Sequence, residues 1–192
     1  MCGRYYVEID DRELQEICDA VMRKQQEDET NEQLEIKLSG EIFPTDIVPI
    51  ITGTNEYLPM KWGFSGFDKR PLINARSETA LEKPTFREPM LNRRCLIPAS
   101  GYYEWKKDGS KKIKHKIFIP GQPIYFAGCY RQERGEDLPR FVILTRAAAP
   151  SIEDIHDRMP VIIPKDLARS WLNDGPDVMG EGTVSDIEAE VV

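Results

Sequence analysis

The sequence predicts a single α+β domain, with a strongly bent mixed β-sheet or barrel-like core and a few flanking helices. Three observations predict this fold class. Short segments rich in β-branched and aromatic residues recur along most of the chain, separated by proline and glycine. Only two or three segments have the spacing of an amphipathic helix. The chain of 192 residues can bury a core of its own but is short for two full domains.

The first predicted elements are a short strand at residues 4–7 and an amphipathic helix from Asp10 to about Gln25. Apolar residues recur in this helix at i, i+3, i+4 and i+7 from Leu14 onward, and Asp10 is its predicted N-cap. Later strands are predicted at 47–52, 57–62, 94–97, 101–106, 113–119, 123–130 and 140–145.

Two more helices are predicted further along the chain. Thr79 and Glu82 have the spacing of a capping box, so a short helix is expected to begin at Thr79. Residues 164–172 have helical spacing after a proline. Residues 1–175 are therefore assigned to the folded domain, and 176–192 to an acidic C-terminal tail that is expected to be disordered.

Charge and cysteine usage limit the class of protein. The net charge of −7 argues against nucleic acid as a partner, yet basic residues concentrate at 87–94 and 106–116, which leaves room for a locally positive groove. No apolar stretch approaches the ~20 residues of a membrane helix and the N-terminus lacks a signal-peptide pattern, so a cytoplasmic protein without membrane contact is expected. The four cysteines are scattered and only two histidines occur, so neither disulfides nor a zinc site are expected.

Cys2 is the first candidate for chemistry, as an exposed N-terminal nucleophile. Removal of Met1 would leave a free α-amine beside the thiol, and these groups titrate near about 8 and 8.5. An aldehyde can condense with the amine to an imine, and the thiolate can then close a five-membered thiazolidine ring, which an internal cysteine cannot do. The alternative is an inert cysteine in a frayed terminus, which Met1-Cys2 alone favours.

The segment Asn74–Glu78 is the second candidate. Asn74 follows an apolar run and lies at the boundary of an element, where its amide can orient an amine or a thiol by hydrogen bonds. Arg76 offers a planar guanidinium suited to a phosphate. Helix capping by Ser77 with a surface arginine also explains the segment and, taken alone, is favoured.

Three other residues have two interpretations each. Glu104 lies in a strand dense in aromatic residues, either as a buried proton shuttle or as a carboxylate facing water. His156 precedes a buried apolar run and either moves protons or binds backbone. Trp62 offers a platform for stacking a base, although a tryptophan in a strand is more often part of the core.

Taken together and in this order, these segments resemble the SOS response-associated peptidase family, also called the SRAP domain. The similarity extends from residue 2 to about residue 165. The matching segments are Met1–Tyr5, Trp62-Gly63, Asn74–Glu78, Lys83-Pro84 with Phe86-Arg87, Arg94–Ala99, Gly101–Trp105 and His156–Pro160.

The resemblance implies a function in DNA damage. Members of the family bind single-stranded DNA and cross-link to abasic sites through the N-terminal cysteine, in a thiazolidine that shields the lesion. They are thought to remove the initiator methionine by autoproteolysis, and lyase activity is a further possibility. The implied catalytic residues are Cys2 as nucleophile, Asn74 to orient it, Glu104 as acid/base and His156 to assist opening of the sugar ring. The implied DNA-binding residues are Arg4, Arg76 and Arg158 for phosphates, and Trp62 and Pro44 for a wedge beside a base.

This chemistry requires no metal or organic cofactor, and the expected partner is single-stranded DNA with abasic sites. A monomer is expected, in the cytoplasm or, in a bacterium, on the nucleoid. The sequence departs from the family pattern at Arg146 and Ala149, which stand where threonine and asparagine are usual. Arg146 could add a phosphate contact in their place.

Two other functions stay open on the sequence alone. Cys2 could be the N-terminal nucleophile of a thiol peptidase or amidase with ordinary peptide substrates. The chain could instead be a non-catalytic module that binds single-stranded DNA by stacking and charge.

Overall fold

The computed structural model describes residues 2–27, 34–53, 56–66, 68, 70–177, 184 and 186–192. Within these residues the helices are Arg12–Glu27 (α1), Ser77–Ala80 (α2), Pro84–Asn92 (α3) and Ala168–Asn173 (α4), with a 3₁₀ turn at Lys165–Leu167. None of the helices in this part of the chain is long and apolar enough to cross a membrane. The strands are Tyr5–Val7 (β1), Gly40–Ile42 (β2), Ile47–Thr52 (β3), Glu56–Trp62 (β4), Asn74–Arg76 (β5), Arg94–Ala99 (β6), Gly101–Asp108 (β7), Lys111–Phe118 (β8), Ile124–Arg131 (β9), Arg140–Ala147 (β10), Arg158–Pro160 (β11) and Glu188–Val191 (β12).

The larger sheet closes into a ring of strands. β3 pairs with β4 and β6, β6 pairs with β9, β9 pairs with β10, and β10 pairs with β4. Each strand of this ring therefore has neighbours on both edges. β5 runs parallel to β10 beyond the end of β4, and β11 pairs with the last residues of β10. The predicted α+β class with a barrel-like core is confirmed.

The second sheet has the order β12–β8–β7–β1–β2 and is antiparallel throughout. The main core combines residues of this sheet with residues of the ring. Its largest buried side chains include Tyr5, Ile42 and Tyr102 from the smaller sheet and Ile50, Met60, Trp62, Phe126 and Phe141 from the ring.

A second buried cluster covers the other face of the ring strands, with contributions from α2, α3 and α4. Both faces of these strands are therefore buried. This explains why every residue of β6 is buried, and why residues 95–99 are a continuous apolar run rather than an alternating one.

Two predicted helix starts are wrong in detail. The N-cap of α1 is Asp11, not Asp10, because Asp11 Oδ1 accepts hydrogen bonds from the backbone N–H groups of Glu13 (2.8 Å) and Leu14 (3.1 Å). The capping box at Thr79 is also wrong, since α2 ends at Ala80. The next helix, α3, begins instead at Pro84, whose fixed φ suits a first helical position.

The C-terminal tail was expected to be disordered, and this is wrong for Glu188–Val191. These residues form β12 and pair with β8, which places Glu190 opposite Lys116. The physical reason is that β8 would otherwise be an open, basic edge, and an acidic strand satisfies both its backbone groups and its charges. Residues 178–183 and 185 of the tail lie outside the described residues.

Candidate active site

Cys2 is buried, with 0% of its surface exposed, and belongs to the main core cluster. Its Sγ donates a weak hydrogen bond to the Arg4 carbonyl at 3.8 Å. Burial, and next the negative charge of Glu104, raise the pKa of the Cys2 thiol well above its usual range. The expectation of an exposed nucleophile is therefore wrong, because the side chain packs between the ring and the smaller sheet.

Asn74 holds the N-terminus from the start of β5. Its Nδ2 donates a hydrogen bond of 2.8 Å to the Cys2 carbonyl. β5 is fixed by parallel pairing with β10, so residue 74 is brought to residue 2 across a long stretch of chain. The Oδ1 atom of Asn74 is buried and accepts no hydrogen bond from the described residues. Because a buried oxygen is usually paired, this atom is available to accept a hydrogen bond from a further donor, such as an amine.

Glu104 is buried, with 5% of its surface exposed, and lies on β7. This burial rules out the interpretation as a carboxylate that faces water, while the role as a proton shuttle stays a prediction. Residues two apart on a strand share a face, so Glu104 and the buried Tyr102 point to the same side of β7. The charges of Cys2 and Glu104 both contribute to a raised pKa of Tyr102, after its burial, which places these three side chains within electrostatic range of one another.

His156 lies in the loop before β11. Two contacts of its Nδ1 atom fix the orientation of the ring. This atom is 3.0 Å from the backbone nitrogen of Arg158 and 2.8 Å from Asp157 Oδ1. The ring lines a cleft of about 340 Å³ together with Glu104. The remaining lining residues are Trp105, Lys107 and Lys112. The cleft therefore brings the two predicted acid/base groups together, while Cys2 belongs to the main core cluster and does not line the cleft.

Arg4 and Arg158 already have carboxylate partners. Arg4 Nη1 is 3.1 Å from Glu41 Oε2, and the guanidinium lies 4.3 Å from the ring centroid of Phe43. Arg158 forms a two-point ion pair with Glu78, at 2.6 and 2.8 Å, and donates to the Thr145 carbonyl at 2.7 Å. A phosphate at either arginine would therefore have to share or replace a carboxylate.

Arg76, at the end of β5, is exposed and forms no ion pair with the described residues.

Pro44 is half-buried and follows Phe43, which is 38% exposed. Thr45 has a positive φ of 78°, so the turn presents this aromatic side chain at the cost of backbone strain. Phe43 and Trp105, which lies 5.0 Å from the Arg4 guanidinium, were not predicted as site residues. The sequence signal that could have indicated Phe43 is an aromatic residue directly before a proline in a turn.

Trp62 does not offer a stacking surface, and this prediction is wrong. The residue is fully buried, its ring stacks on Phe141 at 6.3 Å between centroids, and its Nε1 donates to the Ile73 carbonyl at 3.0 Å. The sequence around Trp62 and Gly63 does not show on which face of β4 the tryptophan lies. In the structure its side chain points to the interior of the ring of strands.

Replacing Trp62 with phenylalanine is expected to lower the free energy of unfolding by about 1–3 kcal/mol, because the Ile73 carbonyl loses its donor and the core loses contacts. Affinity for single-stranded DNA should not change. Urea unfolding and a fluorescence anisotropy titration measure the two quantities. Loss of DNA affinity at unchanged stability would show instead that the indole contacts DNA.

The ion pair of Glu78 with Arg158 predicts a pH dependence of stability. The hydrogen bonds from Arg158 lower the pKa of Glu78 to about 2, below its ordinary value. The pair therefore stabilises the fold above about pH 4.5 and loses this contribution as the pH falls towards 2. Because the Glu78 side chain is 48% exposed, screening limits the effect to ~1 kcal/mol.

The measurement is the difference in unfolding free energy between the wild type and Glu78→Gln, taken at neutral pH and near pH 2. The wild type should be more stable at neutral pH, and the difference should shrink as the carboxyl is protonated. A difference of the same size at both pH values would contradict the assignment of the shift to this pair.

The two departures from the family pattern lie at the end of β10 and just after it. Ala149 is buried and its backbone N–H lies 3.3 Å from the Met159 Sδ. Arg146 is half-buried, and partial burial lowers the pKa of its guanidinium. A phosphate contact by Arg146 stays a prediction.

The comparisons with known proteins agree with this architecture. The family model described as SOS response associated peptidase (SRAP) matches residues 1–187. Abasic site processing protein YoqW of Bacillus subtilis (strain 168) is 35% identical over 189 residues, covering 90% of this chain and 80% of YoqW. Abasic site processing protein YedK of Escherichia coli (strain K12) is 38% identical over 139 residues, covering 68% of this chain and 63% of YedK. A crystal structure from Bordetella bronchiseptica has a TM-score of 0.77 at 24% identity, covering 100% of this chain and 99% of that chain. The chain belongs to the SOS response associated peptidase (SRAP) family.

Proposed function

We propose that the chain binds single-stranded DNA and joins Cys2 covalently to the aldehyde of an abasic site. The relatives named above are abasic site processing proteins. The observation that carries the proposal is the contact of Asn74 Nδ2 with the Cys2 carbonyl at 2.8 Å, with Glu104 buried nearby. Three separate elements thus bring an amide, a carboxyl and the N-terminal cysteine together.

The reaction proposed for Cys2 begins at its α-amine, once Met1 has been removed. The amine adds to the aldehyde carbon, a proton moves from nitrogen to oxygen, and loss of one water gives an imine. The thiol then adds across the carbon–nitrogen double bond, so that sulfur bonds to carbon and the thiol proton goes to nitrogen. The product is a thiazolidine, and the net reaction releases one water.

Glu104 and His156 are proposed to move the protons of this sequence. An abasic sugar is mostly a closed hemiacetal, so its ring must open with acid/base help before the aldehyde is available. Groups placed for such transfers contribute typically 10²–10⁴-fold to the rate. Holding the aldehyde against the amine adds an effective-concentration gain of roughly 7–11 kcal/mol.

The buried thiol of Cys2 suits a nucleophile that reacts only after the α-amine has formed the imine. Its raised pKa keeps the thiol protonated and unreactive until a carbon is held next to it. We propose that loss of Met1 and binding of DNA expose the terminus to the cleft of Glu104 and His156. Met1 lies outside the described residues, so its autoproteolytic removal stays a prediction.

Incubation with single-stranded DNA that carries one abasic site, followed by a denaturing gel, tests this function. The proposal predicts a shifted band that survives denaturation and is absent with undamaged DNA. A module that binds by stacking and charge gives a complex on a native gel but no covalent band. A general thiol peptidase cleaves added peptides and leaves the DNA unmodified, and either of these outcomes overturns the proposal.

A further inference from the structure

A pair of lysines lines the mouth of the cleft that contains Glu104 and His156. Lys107 on β7 and Lys112 on β8 both contribute to its wall. They are direct cross-strand partners in the β7–β8 hairpin, so their side chains leave the same face of the sheet about 5 Å apart at Cβ. Two like charges in this position repel each other, which costs the fold some stability.

The other lysines of the hairpin have acidic neighbours. Lys106 Nζ is 3.5 Å from Asp154 Oδ2, and Lys116 Nζ is 3.0 Å from Glu8 Oε1. Lys114 pairs with Glu41, and Lys111 lies opposite Asp108.

Lys107 and Lys112, by contrast, are exposed and form no ion pair with any residue in the described ranges. These two charges make the wall of the cleft locally positive on a chain with a net charge of −7. Both lysines line the cleft that also contains Glu104 and His156.

We infer that Lys107 and Lys112 bind a backbone phosphate of the DNA strand where it passes the mouth of the cleft. The inference rests on the proposed function and adds residues that the motifs did not indicate. Lysine ammonium groups bind phosphates as point charges, without the fixed geometry of arginine. A phosphate between the two side chains would relieve their mutual repulsion. Arg76, which is exposed at the end of β5, would contact a further phosphate of the strand.

The test is the salt dependence of binding to an undamaged single-stranded oligonucleotide, for the wild type and for Lys107→Gln combined with Lys112→Gln. Each phosphate neutralised on a single strand contributes about 0.7 to the slope of log affinity against log salt concentration. Loss of the one phosphate contact should reduce the slope by roughly 0.7. Between 50 and 200 mM salt the wild type should therefore lose about 2.6-fold more affinity than the variant.

The matched control is Lys24→Gln combined with Lys111→Gln, which removes the same net charge from exposed lysines that do not line the cleft. Its salt slope should equal that of the wild type. Equal slopes in all three proteins, or an equal reduction in both variants, would overturn the inference.

Two further measurements separate this inference from neighbouring explanations. The Lys107→Gln, Lys112→Gln protein should have an unchanged or slightly raised melting temperature, because a repulsion is removed. The second measurement is the cross-linking of the wild type to abasic single-stranded DNA. If the wild type gives no cross-link at all, the proposed function fails. If the cross-link forms but the slopes agree, only the lysine assignment fails.

Discussion

Replacement of Cys2 by alanine is expected to abolish the covalent DNA complex while the fold and non-covalent DNA binding persist. The thiazolidine needs the amine and the thiol of one residue, and alanine keeps only the amine. An imine formed by that amine hydrolyses without the ring closure that the sulfur provides. The measurement is the denaturing gel with abasic single-stranded DNA.

The matched control is Cys18→Ala, which removes another buried thiol, whose Sγ donates to the Leu38 carbonyl at 3.7 Å. This variant should cross-link at the wild-type rate. A stable covalent band with Cys2→Ala would show that a different side chain is the nucleophile. A protein whose N-terminal amine is blocked by a tag should also fail to cross-link, since the first bond is made at nitrogen.

Glu104→Gln is expected to slow cross-linking by roughly 10²–10⁴-fold, the usual contribution of a positioned acid/base group. Glutamine has the same shape but cannot exchange the proton, so the core around β7 should be retained. Affinity for undamaged single-stranded DNA should stay close to that of the wild type. Single-turnover kinetics and an anisotropy titration measure the two effects separately.

Glu8→Gln serves as the control, because Glu8 is an exposed carboxylate whose partner is Lys116. It should change neither the rate nor the affinity. A loss of DNA affinity in Glu104→Gln as large as the loss of rate would contradict the acid/base role. It would indicate that the carboxylate positions the strand or supports the fold.

Most strands were predictable because their apolar runs are bounded by proline and glycine. β3, β4, β6 to β10 and the long helix α1 follow the sequence pattern closely. The ring closure was not predictable in detail, because it depends on the pairing of β10 with both β9 and β4, far apart along the chain. β2, β5, β11 and β12 have only three or four residues each, and the sequence pattern did not predict them.

The sequence could select the residues of the candidate site, but it could not predict how exposed they are. The resemblance selected Cys2, Asn74 and Glu104, and the fold brings them together. The sequence could not reveal that Cys2 is buried, since burial depends on how two sheets pack. It also could not reveal that Arg158 is held by Glu78 or that Trp62 faces the interior of the ring.

The intact mass of the protein, before and after reaction with an oligonucleotide that carries one abasic site, tests the central claim most directly. The account predicts a chain that lacks Met1 and an adduct whose mass is the sum of the two molecules minus one water. A retained methionine in a protein that still reacts would contradict it, because the amine of Cys2 would then be part of a peptide bond. An adduct equal to the full sum would contradict it as well, since that product is a simple thiol addition.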